Sequence, residues 1–297
     1  MNAEPNLLAG AVDLHVHPSP SPYPRRVDPI GAAAAAAAAG MRAIVLKSHH
    51  SDTAMLIDAL RERGLGEVGC EVYGGIVLNS QVGGINPHAV SLSLAMGGRV
   101  VWLPTISSPA HIASSGHFPT ATVELIEEEP IDVWGDDGKL SPRLRQVLEL
   151  IAGADAVLAS GHVPPRSIVA SFEAAREAGV RRLLVNHPNF IVDVGSEDAR
   201  RLVELGAYVE HEVSMYDESS RFHAFAIETL EEWIELAGPE RTILASDLGQ
   251  ANNPLPPESL ERIGERLLGN GLAAERVHDL LATNPARLLG LDGAGDP

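Results

Sequence analysis

Eight short apolar runs recur along this chain, each ending at a polar or histidine residue and each followed by a stretch of helix-forming composition. They are Ala11–His17, Ala43–His49, Glu71–Asn79, Val100–Thr105, Ala156–Gly161, Arg182–His187, Ala207–Glu212 and Thr242–Asp247. Strands alternating with helices imply a parallel sheet, because parallel neighbours need a crossover to bring the chain back. Eight such units close on themselves, so the expected fold is α/β, a (β/α)8 TIM barrel. In that architecture the C-terminal ends of all the strands converge on one face, and the loops leaving them carry the chemistry.

The spacers carry helix punctuation. Asp28 followed by Pro29 reads as an N-cap and first helical residue, the run from Ala32 to Ala39 has the strongest intrinsic helix preference, and Gly40 stops it. Further helices are expected over Thr53–Arg63, Ser141–Ala152, Ser167–Ala178, Glu197–Leu205, Phe222–Ala237 and Glu258–Leu268, with Gly179 and Gly206 as left-handed stops. One connection breaks the rhythm, a long insertion after strand 4 at about residues 106–140. Its first part, Ile106 to Thr120, is rich in Ser, Gly, Pro and His and reads as a substrate-binding flap. A length of 297 residues suits one barrel domain, residues 1–297, with its core at about 11–289 and a frayed tail from Asp292 to Pro297.

Composition narrows the function classes. With 22 Lys and Arg against 40 Asp and Glu, the net charge of -18 argues against nucleic acid and anionic membrane as partners. Cys70 is the only cysteine, which excludes an intrachain disulfide, a zinc-cysteine cluster and a CxxC redox pair and suits a reducing compartment. Met1 to Gly10 does not read as a leader, and no apolar run reaches the roughly 20 residues of a membrane span. The expectation is a cytoplasmic protein acting on a small molecule, with homo-oligomerisation left open.

The sharpest local motif is Asp13-Leu14-His15-Val16-His17 at the end of the first run. Strand alternation would turn Asp13, His15 and His17 to one face and Leu14 and Val16 to the other, so that two imidazoles can share one metal ion. His162 directly follows the fifth run, His187 ends the sixth, and both join the metal set. Asp247 ends the eighth run, which returns beside the first on closure, and serves as ligand and proton acceptor unless it only caps the following turn.

Lys47 and His49 share a face at the end of the second run. Lys47 would offset substrate charge, bridge two ions as a carbamate, or form a salt bridge to Asp13 or Glu210; His49 is a ligand or acid-base group, or an ordinary strand-end histidine. Glu210 and Glu212 share a face in the seventh run and would fix a ligating ring or balance Lys47. His111, His117 and Trp134 in the insertion could reach substrate. Gly74-Gly75 and Gly83-Gly84 match no phosphate-cradling spacing, and no GxSxG elbow occurs, which favours metal activation of water. A shell of nitrogen and oxygen donors suits a divalent ion, Zn²⁺, Mn²⁺ or Fe²⁺, without selecting among them.

The set His15, His17, His162, His187 and Asp247 resembles the amidohydrolase superfamily, whose barrels place His-x-His on strand 1, histidines on strands 5 and 6 and an aspartate on strand 8. The resemblance spans about Ala11 to Leu289. It implies a metal-dependent hydrolase attacking an amide, cyclic amide or ester-like carbonyl, with Asp247, Lys47 and His49 as the catalytic set. A phosphoesterase or decarboxylase of the same superfamily, or a metal-binding scaffold, are the alternatives. Two departures bear on the site. Strand 4 ends Leu103-Pro104-Thr105 where two-metal members carry a bridging lysine or glutamate, which implies one ion, Zn²⁺ foremost, rather than two, unless Lys47, Glu210 or a loop residue replaces the bridge; and Asp247-Leu248-Gly249 lacks the histidine common in the phosphoesterase relatives.

Overall fold

The computed structural model describes residues 6–114 and 121–291; His117 and the tail from Asp292 to Pro297 lie outside the described residues. The eight expected strand positions are filled by β1 Val12–Val16, β2 Ala43–Leu46, β3 Glu71–Tyr73, β4 Gly75–Val77, β5 Val100–Trp102, β6 Val157–Ala159, β7 Arg182–Asn186, β8 Tyr208–Glu212 and β9 Thr242–Ala245. The third position divides at Gly74: β3 pairs with β2, β4 with β5, all in parallel. Gly75 lets β4 close tightly on β5, since a Cβ there would stand 1.8 Å from Val100 O. Thr53 Oγ1 spans the gap, accepting from Gly75 N at 2.9 Å and donating to Leu46 O at 2.8 Å.

On the other side, β1 and the end of β9 meet through Asp247 N to His15 O at 2.9 Å and His17 N to Leu248 O at 2.7 Å. Inward residues such as Ala43, Val45, Trp102, Ala159, Leu184, Ile243 and Ala245 form an interior cluster, while Ile44, Leu46, Leu158 and Leu244 pack outward with the helices. Burying each such leucine contributes about 1.5–3 kcal/mol. The helix Asn284–Leu289 adds Ala286, Leu288 and Leu289 to the interior cluster. Its Asn284 donates to Thr242 O at 2.8 Å, so this plug sits at the N-terminal end of β9, away from the histidines.

The helix expected from Asp28 runs Pro29–Ala38, with Asp28 accepting from Gly31 N and Ala32, Ala33 and Ala36 buried against the outward strand residues. The helix expected over Phe222–Ala237 is shorter and begins at Ile227. Residues before it fold back instead, because Ala224 N and Phe225 N donate to Met215 O at 2.9 and 3.0 Å. A helix at Pro87–Ala95, capped by Asn86, and a short one at Pro109–Ala113, capped by Ser108, were not expected. Part of the insertion is tied over the loop after β1, with Thr122 N donating to Pro22 O at 2.8 Å. Among the described residues, no helix is long and apolar enough to cross a membrane.

Candidate metal centre

The strict alternation expected of the first motif breaks, because the register of β1 against β2 shifts between Asp13 and Val16. Val12 and Leu14 therefore join the interior cluster, whereas Val16 packs outside. Asp13 turns onto the strand seam and accepts from His15 N at 3.0 Å and Ser246 N at 2.9 Å. Burial pushes its carboxyl up to about 7.

Beyond that shift, His15 and His17 meet Asp247. His15 Nδ1 lies 2.9 Å from Glu210 Oε1 and 3.4 Å from Glu212 Oε1, and its Nε2 is 3.0 Å from Lys47 Nζ and 3.4 Å from Asp247 Oδ1. His17 Nδ1 lies 3.0 Å from Lys47 O and its Nε2 3.0 Å from Asp247 Oδ1. A donor atom from each of His15, His17 and Asp247 falls within one 4.8 Å cluster, and His15, Glu210 and Glu212 form a second.

These contacts fix the protons. A carbonyl oxygen only accepts, so His17 Nδ1 carries the hydrogen that meets Lys47 O. Burial, reinforced by the charges of Arg25 and Lys47, holds His17 well below its ordinary pKa, so the ring is neutral. Its Nε2 then presents a lone pair to a carboxylate oxygen 3.0 Å away. Two acceptors at that separation repel unless a proton or a metal cation lies between them, and an imidazole, imidazole, carboxylate set is the donor chemistry of Zn²⁺, Mn²⁺ or Fe²⁺. Glu210, itself held by Asn186 Nδ2 at 2.6 Å, orients His15 from behind with its Nε2 forward. Burial raises both Glu210 and Glu212.

His162 and His187 border the same cavity but stand outside the tight clusters. Their ring centroids are 4.7 Å apart, and His187 is 6.2 Å from His15. His187 Nδ1 is buried without a hydrogen-bond partner, whereas His162 Nδ1 is 2.7 Å from His111 Nδ1. His187 and Asp247 both take positive φ, 26° and 53°, where the chain turns out of β7 and β9.

Lys47 does not form the salt bridge to Asp13 or Glu210 that was one expectation. It faces His15 Nε2 and lies 5.5 Å over the Trp102 ring, because it extends along the cavity floor toward β1. His49 stacks on His17 at 4.9 Å with Nδ1 held 2.8 Å from Thr105 Oγ1, the residue that stands where the resemblance expects a bridging side chain. Trp134 is not at the cavity: it donates to Ser167 Oγ at 2.9 Å and lies under Arg166 on the helix Pro165–Glu177.

The cavity over these groups measures about 740 Å³, with Ile106, Phe190, Met215 and Phe222 in its apolar walls. Arg25 and Gln250, which also line it, are absent from the sequence-derived set. The signal available for Arg25 was its place in the loop after the first strand, since every such loop faces the site.

Solved structures share this fold at low identity. An amidohydrolase from Pseudomonas aeruginosa matches 95% of this chain and 97% of its own, with TM-score 0.60 and 11% identity. An N-acetyl-D-glucosamine-6-phosphate deacetylase from Mycobacterium smegmatis matches 97% and 77%, with TM-score 0.57 and 17% identity. A lactonase from Listeria monocytogenes matches 96% and 95%, with TM-score 0.55 and 12% identity. The fold class is thus the α/β barrel of these structures, as the resemblance to the amidohydrolase superfamily implied. The chain belongs to DUF6282, a family of unknown function, whose model matches residues 10–210. That span includes His15, His17, Lys47, His49, His162, His187 and Glu210, and stops short of Asp247. No curated protein matches the chain in sequence.

Proposed function

We propose that the protein is a metal-dependent, amidohydrolase-like hydrolase in which His15, His17 and Asp247 hold one divalent cation, Zn²⁺ foremost, and water attacks an amide, cyclic amide or ester-like carbonyl. The observation that carries this reading is the 3.0 Å approach of two acceptors, His17 Nε2 and Asp247 Oδ1. A bound divalent cation supplies Lewis acidity, lowering the pKa of water and polarising the carbonyl. His162 and His187, which line the same cavity, would be the further residues to hold the ion.

Asp247 is the member of the set open to the cavity, with 19% of its side chain exposed against 1% for His15. It takes the proton from water and returns it to the leaving group. Lys47 Nζ, lying over the Trp102 ring at the cavity floor, donates to the negative charge that forms on the attacked oxygen once the His15 Nε2 lone pair is taken by the ion. His49, pinned by Thr105, orients the substrate beside His17. A reducing, cytoplasmic setting and a single barrel domain belong to the same reading, supported by the lone buried thiol of Cys70.

The test is a screen of amides, cyclic amides and lactones with metal-loaded protein, run beside Asp247→Asn and a His15→Ala/His17→Ala variant. The expected outcome is hydrolysis lowered by about 10²–10⁴-fold in Asp247→Asn. Metal content unchanged in the double variant, or full turnover without the Asp247 carboxylate, would overturn the assignment. Metal binding with no hydrolysis across the screen would leave a scaffold protein.

A further inference from the structure

We infer that Arg25 is the anion-recognising residue of the cavity, and that the molecule it receives carries a carboxylate or phosphate group distinct from the bond that is broken. The bound molecule is called a substrate on the strength of the hydrolase reading; the anion site itself stands on separate observations.

The loop after β1 is fastened to the loop after β9. Arg25 and Gln250 form an antiparallel bridge, Arg26 N donates to Gly249 O at 2.8 Å, and Ala251 N donates to Pro24 O at 3.0 Å. This fixes the Arg25 backbone opposite a residue three positions beyond Asp247 and aims its side chain into the cavity. The side chain is half-buried, its Nε is sealed from solvent, and it has no hydrogen-bond partner or ion pair among the described residues.

Nearby carboxylates are committed elsewhere. Asp247 Oδ1 faces the two imidazoles, and Glu128 is held by Ser80 Oγ at 3.0 Å and by Ser107 Oγ. Gln250 Oε1 is likewise buried without a partner, while its Nε2 donates to Asp247 O at 2.9 Å. Burial draws the guanidinium down to about 10, which leaves it a cation at neutral pH. Of the cations lining this cavity, Arg25 is held in it without a direct ion pair to any carboxylate among the described residues. A partly desolvated, unpaired guanidinium is unfavourable by itself, and its planar fork matches the two oxygens of a carboxylate or phosphate. The walls formed by Ile106, Phe190, Met215 and Phe222 suit an apolar body behind that anionic group.

The experiment is calorimetric titration of the full chain, as purified and again after chelator treatment, with phenylacetate, phenyl phosphate and the neutral phenylacetamide. Wild type is compared with Arg25→Gln, Arg25→Lys and Arg221→Gln, the last removing another cation from the cavity wall. Binding of at least one anion, weakened about tenfold or more in Arg25→Gln and less in Arg25→Lys and Arg221→Gln, is expected. The anion that loses more identifies carboxylate or phosphate as the recognised group. Equal anion binding by Arg25→Gln and wild type, equal sensitivity of phenylacetamide, or no anion binding by wild type at about 10 mM would overturn the inference. Metal content measured on the same samples separates the two readings: wild type without metal sinks the hydrolase proposal and leaves the Arg25 result to stand or fall alone.

Discussion

His17 Nε2 and Asp247 Oδ1 stand 3.0 Å apart across the seam between β1 and β9, each directing a lone pair at the other. A divalent cation should relieve that repulsion and stabilise the fold. Zn²⁺ at about 100 times its Kd stabilises a one-site protein by about 2.7 kcal/mol. Thermal denaturation should therefore show Tm rising on metal addition and falling with chelator, and the His15→Ala/His17→Ala variant should show neither shift. A double variant that responds like wild type would place the metal elsewhere.

Lys47 is a near neighbour in charge of every imidazole at the site. Burial first, and then Lys47, hold His187 down to about 3. Replacing Lys47 with Met keeps the buried bulk and removes the cation, so the imidazolium of His187 becomes easier to form and its pKa rises, while burial keeps it below the ordinary 6.5. Imidazole resonances followed by NMR titration of metal-free protein should move in that direction in Lys47→Met. An unchanged or lower value would mean that Lys47 does not set the charge of the cavity.

Asp217 sustains the loop that carries Met215 and Phe222. It accepts from Ser259 Oγ at 2.6 Å and from Arg262 at 2.7 Å, both on the helix Pro256–Gly269. Burial opposes ionisation, but the hydrogen bonds from Arg262, Ser219 and Ser259 win and hold the carboxyl at about 2, below the ordinary 3.8. Because the folded value is the lower one, the stabilisation is present above the unfolded pKa and is lost as the pH falls from about 4 through about 2. Asp217→Asn should lower stability by about 1–3 kcal/mol at pH 7. The gap between variant and wild type in denaturant titrations should close over that acidic window. A gap that stays constant down to pH 2 would assign the effect to packing instead.

Gly249 lets the loop after β9 pass over β1. Its φ is +128°, and a Cβ there would lie 2.2 Å from His17 O. Gly249→Ala should therefore lose at least about 3 kcal/mol, and bound metal with it, since backbone and not a mobile side chain must give way. Gly64→Ala is the control: φ is +108° but a Cβ there meets nothing within 4 Å, so the loss should stay near about 1–2 kcal/mol. Similar losses at the two positions would show that conformation, not the approach to His17, is what matters.

The barrel was legible because parallel strands buried on both faces, such as Val100–Trp102 and Arg182–Asn186, leave apolar runs that local composition separates from the helices between them. The convergence of His15, His17 and Asp247 followed from closure alone, because strands 1 and 8 become neighbours. What periodicity does not encode was missed. A register shift inside β1 sends Leu14 inward and Asp13 to the seam, against simple alternation. The partner of Lys47 depends on how far β2 is staggered against β1, which brings His15 Nε2, not Asp13, to its ammonium group. Trp134 was expected near substrate and Arg25 was missed for one reason: a loop's path is set by contacts such as Thr122 N to Pro22 O and Arg26 N to Gly249 O, which leave no repeating pattern in the chain.

The seam between β1 and β9 also orders events during synthesis. Ser246 Oγ donates to His15 O across 231 positions, so the imidazole half of the cluster leaves the ribosome long before the carboxylate half. A nascent chain that has not yet delivered residues 242–250 has no Asp247 to face His15 and His17, and no Leu248 O to which His17 N can donate. The same is true of a chain clipped ahead of β9. The contacts that join β1 to β9 are therefore the last of the barrel to form as the chain is made.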